Sequence, residues 1–237
     1  MTATIHPTAS IASGVRLAAG VTIAPYAVIM GDVEIGEDTW IGPHVTIGTP
    51  AQFANRKFEL AGEQCSGVRI GARVVLREYV TVHQPSRDVT IVEDDAYLMS
   101  YAHVSHDTRL RRGAVLANSV QIGGFTDVGE YANVGLSSVL HQFTTIGAFA
   151  MVGMGSIVSK DVPPFVKAYG NPMQVTGVNT VGLGRAGIDE AAVAQVAAWY
   201  ATGEPLTDPV VARLLAAYEA RRKEAHRAEL LLPRATR

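Results

Sequence analysis

The sequence predicts an all-β solenoid, a parallel β-helix of very short strands, followed by a C-terminal helical domain. Two observations predict it. An aliphatic residue recurs at every sixth position through most of the first 160 residues, and past Gly187 this pattern gives way to an Ala-rich stretch with helical spacing.

The repeat starts at Ile5 and continues through Ile11, Leu17, Ile23, Ile29, Ile35, Ile41 and Ile47. It resumes at Ile70, Leu76 and Val82, then restarts at Val92 for twelve consecutive sites ending at Val158. With Ile, Leu and Val making up about one residue in four of ordinary composition, a run of twelve is not a chance event. A period of six fits neither a helical stripe nor a long alternating strand. It fits short strands joined by bends, each strand turning one aliphatic side chain inward. Gly, Ala and Ser sit beside the aliphatic residue or four positions on, as in IASGVR, IGGFTD and IGAFAM, where bends need a tolerant backbone. Stacked rungs then bury a continuous apolar column and hydrogen-bond at roughly 4.8 Å spacing.

Two interruptions, residues 49–69 and 84–91, read as corner insertions, which solenoids tolerate and often use for function. The first, TPAQFANRKFELAGEQCSGVR, is polar with two aromatics and is expected to form an ordered protruding loop; the second, around QPSRDVT, is a shorter one. The repeat is expected to stop at SKDVPP, since consecutive prolines cannot feed a ladder. This divides the chain into a solenoid over 1–186 and a helical domain over 187–237, with Asp189 and Asp208 near helix starts and Gly203 past the first helix's end.

Composition narrows the function. With 48% hydrophobic residues, 18% charged residues and a net charge of -2, the chain can bury a large core and lacks the basic excess that nucleic acid attracts. No window approaches 18 uninterrupted apolar residues, so no stable membrane insertion is expected. The single cysteine, Cys65, excludes an intrachain disulfide, and the start MTATIHPTAS lacks a basic and then apolar signal; a cytoplasmic setting is the expectation.

The passage YAHVSHDTRL, followed by VLANSVQIGG, VLHQF, DVPPF and AYGNP, closely resembles the UDP-N-acetylglucosamine acyltransferases that begin lipid A assembly. The AGE-containing insertion, the GVN segment at Gly177 to Asn179, and the order and spacing of the motifs match as well, over nearly the whole chain. The resemblance implies a three-sided left-handed β-helix with three hexapeptides per coil. It also implies a homotrimer with active sites between subunits, and transfer of a hydroxyacyl chain from acyl carrier protein to a nucleotide sugar, with no cofactor and no metal.

Three hexapeptides per coil set residues 18 apart above one another, so His106, Gly124 and Gln142 share one column. His106 matches the family's general base, a role imidazole suits because it titrates near neutrality. Asp107 matches the carboxylate that fixes its tautomer, and Gly124 the backbone N–H that meets an oxyanion. His103, His141, Gln142, Asn179 and Arg185 match positions that contact substrate. Three histidines on a trimeric β-helix also resemble the gamma-class carbonic anhydrases, whose zinc bridges subunits, but the HDxR and VLHQF contexts argue against metal. Cys65 reads as a spectator thiol. The basic runs Arg109, Arg111, Arg112 and Arg221, Arg222, Lys223 suit either an acidic acyl carrier protein or a solvated face.

The chain departs from the family pattern at the acceptor site. Lys57 stands where an aspartate is usual and Glu59 where a lysine is common, while Phe125 and Pro172 each replace a histidine. Met154 falls where the family places the residue that limits acyl-chain length, often glycine, which predicts a shorter acyl chain. Two alternatives stay open at this point: a CoA-dependent acetyltransferase on another sugar or small amine, and a trimeric scaffold without turnover.

Overall fold

The computed structural model describes residues 2–54 and 67–225, and within them every aliphatic position of the repeat lies in a strand of two to four residues. These strands, β1 (Thr4–Ile5) to β23 (Ile157–Val158), pair in parallel on three faces. Each hexapeptide spends one residue outward, one inward and the rest on the corner. The inward columns begin with Ile5 and Ile23 on the first face, Ile11 and Ile29 on the second, and Leu17 and Ile35 on the third. Successive coils register 18 residues apart, as in Thr4 beside Thr22 and His103 beside Gln121. The insertions stretch that spacing, so that Ile47 meets Val82, and Val82 meets Val104.

From Ile23 onward the inward residues are buried, whereas Ile5 is 46% exposed because no coil lies beneath the first. Stacking stabilises each rung through its neighbours, and an end rung has only one.

The corners follow a different rule from the one the small residues suggested. The third residue after the inward aliphatic takes a left-handed φ, and it is seldom glycine: Tyr26, His44, Tyr79 and Tyr101 hold it between the first and second faces, Asp107, Phe125 and Phe143 between the second and third, and Tyr131, Phe149 and Phe165 between the third and first. Each costs on the order of 1 kcal/mol, which coil stacking offsets. Glycine is needed elsewhere, directly after the aliphatic residue, by the approach of the next coil. A Cβ on Gly123 would lie 2.6 Å from the backbone nitrogen of Gln142.

The prolines do not end the sheet. Val162 bridges to Ile146, and β24 (Val166–Gly170) extends the first face alongside β22 (Met151–Val152). β25 (Met173–Val178) returns antiparallel to β24, and Pro172 lies in the turn between them. Pro163 and Pro164 occupy the preceding corner, outside any strand.

Helical structure begins at α1 (Thr180–Arg185), ahead of the expected start near Gly187. This single glycine-rich turn and a half shows no periodicity to read; it is nucleated by Asn179, whose side chain accepts from the Gly182 N–H. α2 (Glu190–Thr202) is capped by Asp189 and closed by left-handed Gly203, and α3 (Pro209–Ala225) is capped by Asp208, as the sequence indicated. Val196, Val211 and Leu214 pack on Phe149 and Phe165 of the third-to-first corner, so the helices seal one side of the solenoid. Among the described residues no helix is long and apolar enough to cross a membrane.

Candidate active site

The chemistry-bearing residues gather on the second-to-third corner, in the coil that follows both insertions. Strand β14 (His103–Val104) turns Val104 inward and His103 outward, and the chain then bends through Ser105, His106, Asp107 and Thr108. His106 Nδ1 lies 2.8 Å from Asp107 Oδ2. A carboxylate only accepts, so Nδ1 carries the proton and Nε2 presents its lone pair.

Asp107 is held unusually fully. Its side chain is 3% exposed and receives the Ser86 N–H and hydroxyl on Oδ2, and the Arg87 and Asp88 N–H groups on Oδ1. Burial pushes the carboxyl up, but the bonds from His106, Ser86 and the backbone outweigh it and hold the group well below the usual carboxylate range. The donors come from the short second insertion between β11 (Thr81–His83) and β12 (Thr90–Val92). That loop therefore serves to keep Asp107 ionised and His106 in one tautomer.

Gly124 lies one coil on. Its φ is not left-handed, so the backbone alone would tolerate a side chain, but a Cβ would sit 2.7 Å from His106 Nε2 and 2.5 Å from Cε1. Glycine keeps open the space the lone pair faces. Phe125 closes one side, edge-on to the imidazole with centroids 5.2 Å apart, and stacks on Phe143 at 4.6 Å. Phe53, just after the start of the first insertion, approaches the imidazole to 4.9 Å. His106 is thus a largely buried imidazole between aromatic rings.

Two further histidines stand on the second face. His103 Nδ1 is 2.8 Å from Thr81 Oγ1, and burial, reinforced by His83 and His106, pushes its pKa down to about 4. His83 packs edge-on to it at 4.9 Å and donates from Nδ1 to the Pro50 carbonyl at 2.7 Å, tying down the first insertion at its root. Burial likewise pushes His83 down. At working pH both are neutral polar contacts.

The remaining predicted residues are distributed more widely. Gln142 and His141 are exposed two coils beyond His106 on the same corner, with His141 Nδ1 3.1 Å from the Gln142 carbonyl. Met154 is 73% exposed on the opposite edge of the second face. Asn179 donates to the Phe149 carbonyl at 2.9 Å while capping α1, and Arg185 is exposed in the last turn of that helix. Within the single chain these three do not meet His106. Lys57, Glu59 and Cys65 lie outside the described residues. Among the described residues no group of three or more His, Cys, Asp or Glu is placed to hold a metal.

The two basic runs converge: Arg111 and Arg221 both pair with Asp127, and Arg109 with Asp88. They border a cavity of about 530 Å³ that Asp107, Phe125 and Phe143 also line. Much of their charge is therefore matched by the chain's own acids rather than offered to solvent. Sequence reasoning missed Ser86, Phe53, His83 and Arg87. The one signal for them was positional, since both insertions interrupt the coils directly before the HD pair.

Comparison with known proteins follows the same lines. Residues 161–225 match the family model described as UDP-N-acetylglucosamine O-acyltransferase, domain 2, and residues 14–49 the bacterial transferase hexapeptide model. The chain is 38% identical over 169 residues to the acyl-[acyl-carrier-protein]–UDP-N-acetylglucosamine O-acyltransferase of Burkholderia ambifaria, covering 70% of this chain but 63% of that one. It is 34% identical over 217 residues to the enzyme of the same name from Verminephrobacter eiseniae, covering 83% and 81% respectively. The solved UDP-N-acetylglucosamine O-acyltransferase from Moraxella catarrhalis superimposes with a TM-score of 0.74 at 25% identity, over 97% of this chain and 100% of that one. By sequence motifs, coil architecture and these relatives together, the chain belongs to the UDP-N-acetylglucosamine O-acyltransferase family.

Proposed function

We propose that the chain transfers a (3-hydroxy)acyl group from an acyl carrier protein thioester to a hydroxyl or amine of a UDP-N-acetylglucosamine-like nucleotide sugar. The observation that carries this reading is the His106 imidazole, fixed by Asp107 through Nδ1, with Nε2 facing the space that Gly124 leaves open. As the acceptor oxygen or nitrogen attacks the thioester carbon, Nε2 takes its proton, and Asp107 stabilises the imidazolium that results. The carbonyl electrons move onto oxygen, which the Gly124 N–H is suited to meet. On collapse the C–S bond breaks, and the imidazolium returns the proton to the departing thiolate. No acyl-enzyme forms.

His103, His141 and Gln142 contact the acceptor in this reading, with Phe125 and Lys57 altering that contact, and Met154 limits the acyl chain. Asn179 and Arg185, on another corner, reach a site of this kind across the subunit boundary of a homotrimer. The test is mass spectrometry of mixtures of UDP-N-acetylglucosamine with a ladder of 3-hydroxyacyl carrier proteins. An acylated sugar nucleotide that disappears with His106→Ala supports the reading and reports the chain length. No product from any donor, beside product from acetyl-CoA and another sugar or amine, sinks it in favour of a CoA-dependent acetyltransferase.

A further inference from the structure

We propose that Arg87 is a phosphate-binding residue of this site, holding a phosphate group of one substrate beside His106. Which substrate brings the phosphate rests on the transfer reading above; the anion site itself does not. The Arg87 guanidinium centre lies 5.0 Å over the Phe125 ring, the same ring whose centroid is 5.2 Å from that of the imidazole. Stacking occupies a face of the guanidinium and leaves its N–H edge for a ligand.

Ion pairing separates Arg87 from the other described arginines. All of them except Arg87 and Arg185 pair with a carboxylate, from Arg16 with Asp32 and Glu34 to Arg222 with Glu219. The acids nearest Arg87 in the loop and below it are already engaged. Asp88 binds Arg109 at 2.8 Å, and Asp107 is filled by His106, Ser86 and the loop N–H groups. Arg87 contributes its own backbone N–H to that cluster at 2.9 Å, so the base of the side chain is fixed. A positioned guanidinium with no carboxylate partner among the described residues, next to the His106 imidazole, suits a planar, bidentate grip on phosphate oxygens.

Two substrate phosphates share this chemistry: the diphosphate of a nucleotide sugar and the phosphodiester of a phosphopantetheine arm. Steady-state kinetics of Arg87→Gln and Arg87→Lys tell them apart. Loss of a charge-assisted bond raises KM about tenfold or more for the substrate concerned, with the lysine variant recovering part of it. A rise confined to the nucleotide sugar assigns the diphosphate, and one confined to the carrier protein assigns the arm. Calorimetric titration with inorganic pyrophosphate reads the site without turnover: the wild-type chain binds it and Arg87→Gln binds it about tenfold more weakly, even if no acyl transfer is found. Unchanged KM for both substrates together with pyrophosphate binding that is absent or equal in the two proteins overturns the proposal.

Discussion

Two corners of the same solenoid share a backbone and differ in everything chemical. On the first-to-second corner Tyr26, His44, Tyr79 and Tyr101 stack at 4.9 to 5.1 Å with ring planes within 18° of parallel. On the second-to-third corner the same left-handed positions carry Asp107, Phe125 and Phe143, and both insertions open there. Among the described residues, the His44 ring is held by ring faces above and below, those of Tyr26 and Tyr79. His106 is held by a carboxylate at Nδ1, by Phe53 and Phe125 around its ring, and by a glycine that leaves Nε2 bare. Regular stacking supplies position, and the carboxylate-held imidazole arises where the register is interrupted and loop residues wrap a corner.

The sharpest way to test that contrast is to remove each histidine. His106→Ala is expected to lower turnover by about 10³-fold, the range of a lost general base, while leaving the melting temperature nearly unchanged. His44→Ala should leave turnover within about twofold of wild type. Equal losses in an acyl-transfer assay would mean that the corners are not chemically distinct.

The next largest effect is on the pH dependence of stability. His103, pushed down to about 4 chiefly by burial, stays neutral in the folded chain where the unfolded chain takes up a proton at about 6.5. Between those values the unfolded state binds more protons, so stability is lost as pH falls through the window, by on the order of 3 kcal/mol in total. His103→Gln removes that contribution, and denaturant titrations from pH 7 to pH 4.5 should show a flatter decline. An unchanged slope would show that His103 is not the group responsible.

The sequence revealed the solenoid because every coil repeats the same physical demand, one inward aliphatic residue in six, and repetition accumulates signal. It singled out His106, Asp107 and Gly124 through a motif resemblance rather than through periodicity, and the structure brings these three together. Ser86, Phe53 and His83 were illegible for a definite reason. Each acts through a contact across 20 or more residues, such as Ser86 on Asp107 or His83 on Pro50, and no local pattern encodes such a contact. The corner conformation was also misread. Small residues marked the bends, yet the left-handed position is held mostly by larger residues such as Tyr, Phe, Asp and His, with Gly or Ser at a minority of corners, because stacking between coils outweighs the local cost. The continuation of the first face past Pro163 and Pro164 was hidden likewise, since their missing N–H groups fall on a corner and β24 needs none of them.

Two smaller perturbations complete the comparison, one at each corner. Gly124→Ala places a Cβ 2.7 Å from His106 Nε2 at a residue whose φ is already compatible with alanine, so turnover should fall about 10²-fold with little loss of stability. A mutant that instead melts early while its folded fraction turns over normally would make Gly124 a packing glycine. Tyr79→Ala should do the reverse. Tyr79 lies between His44 and Tyr101 with both contacts at 4.9 Å, so its removal breaks two ring contacts that each contribute about 0.5 to 1.5 kcal/mol, discounted here because the side chain is 44% exposed. The expected result is a melting temperature lower by a few degrees and an unchanged kcat. If kcat falls as well, the ladder corner is coupled to the catalytic one through the shared second face, and the division between a structural and a chemical corner fails.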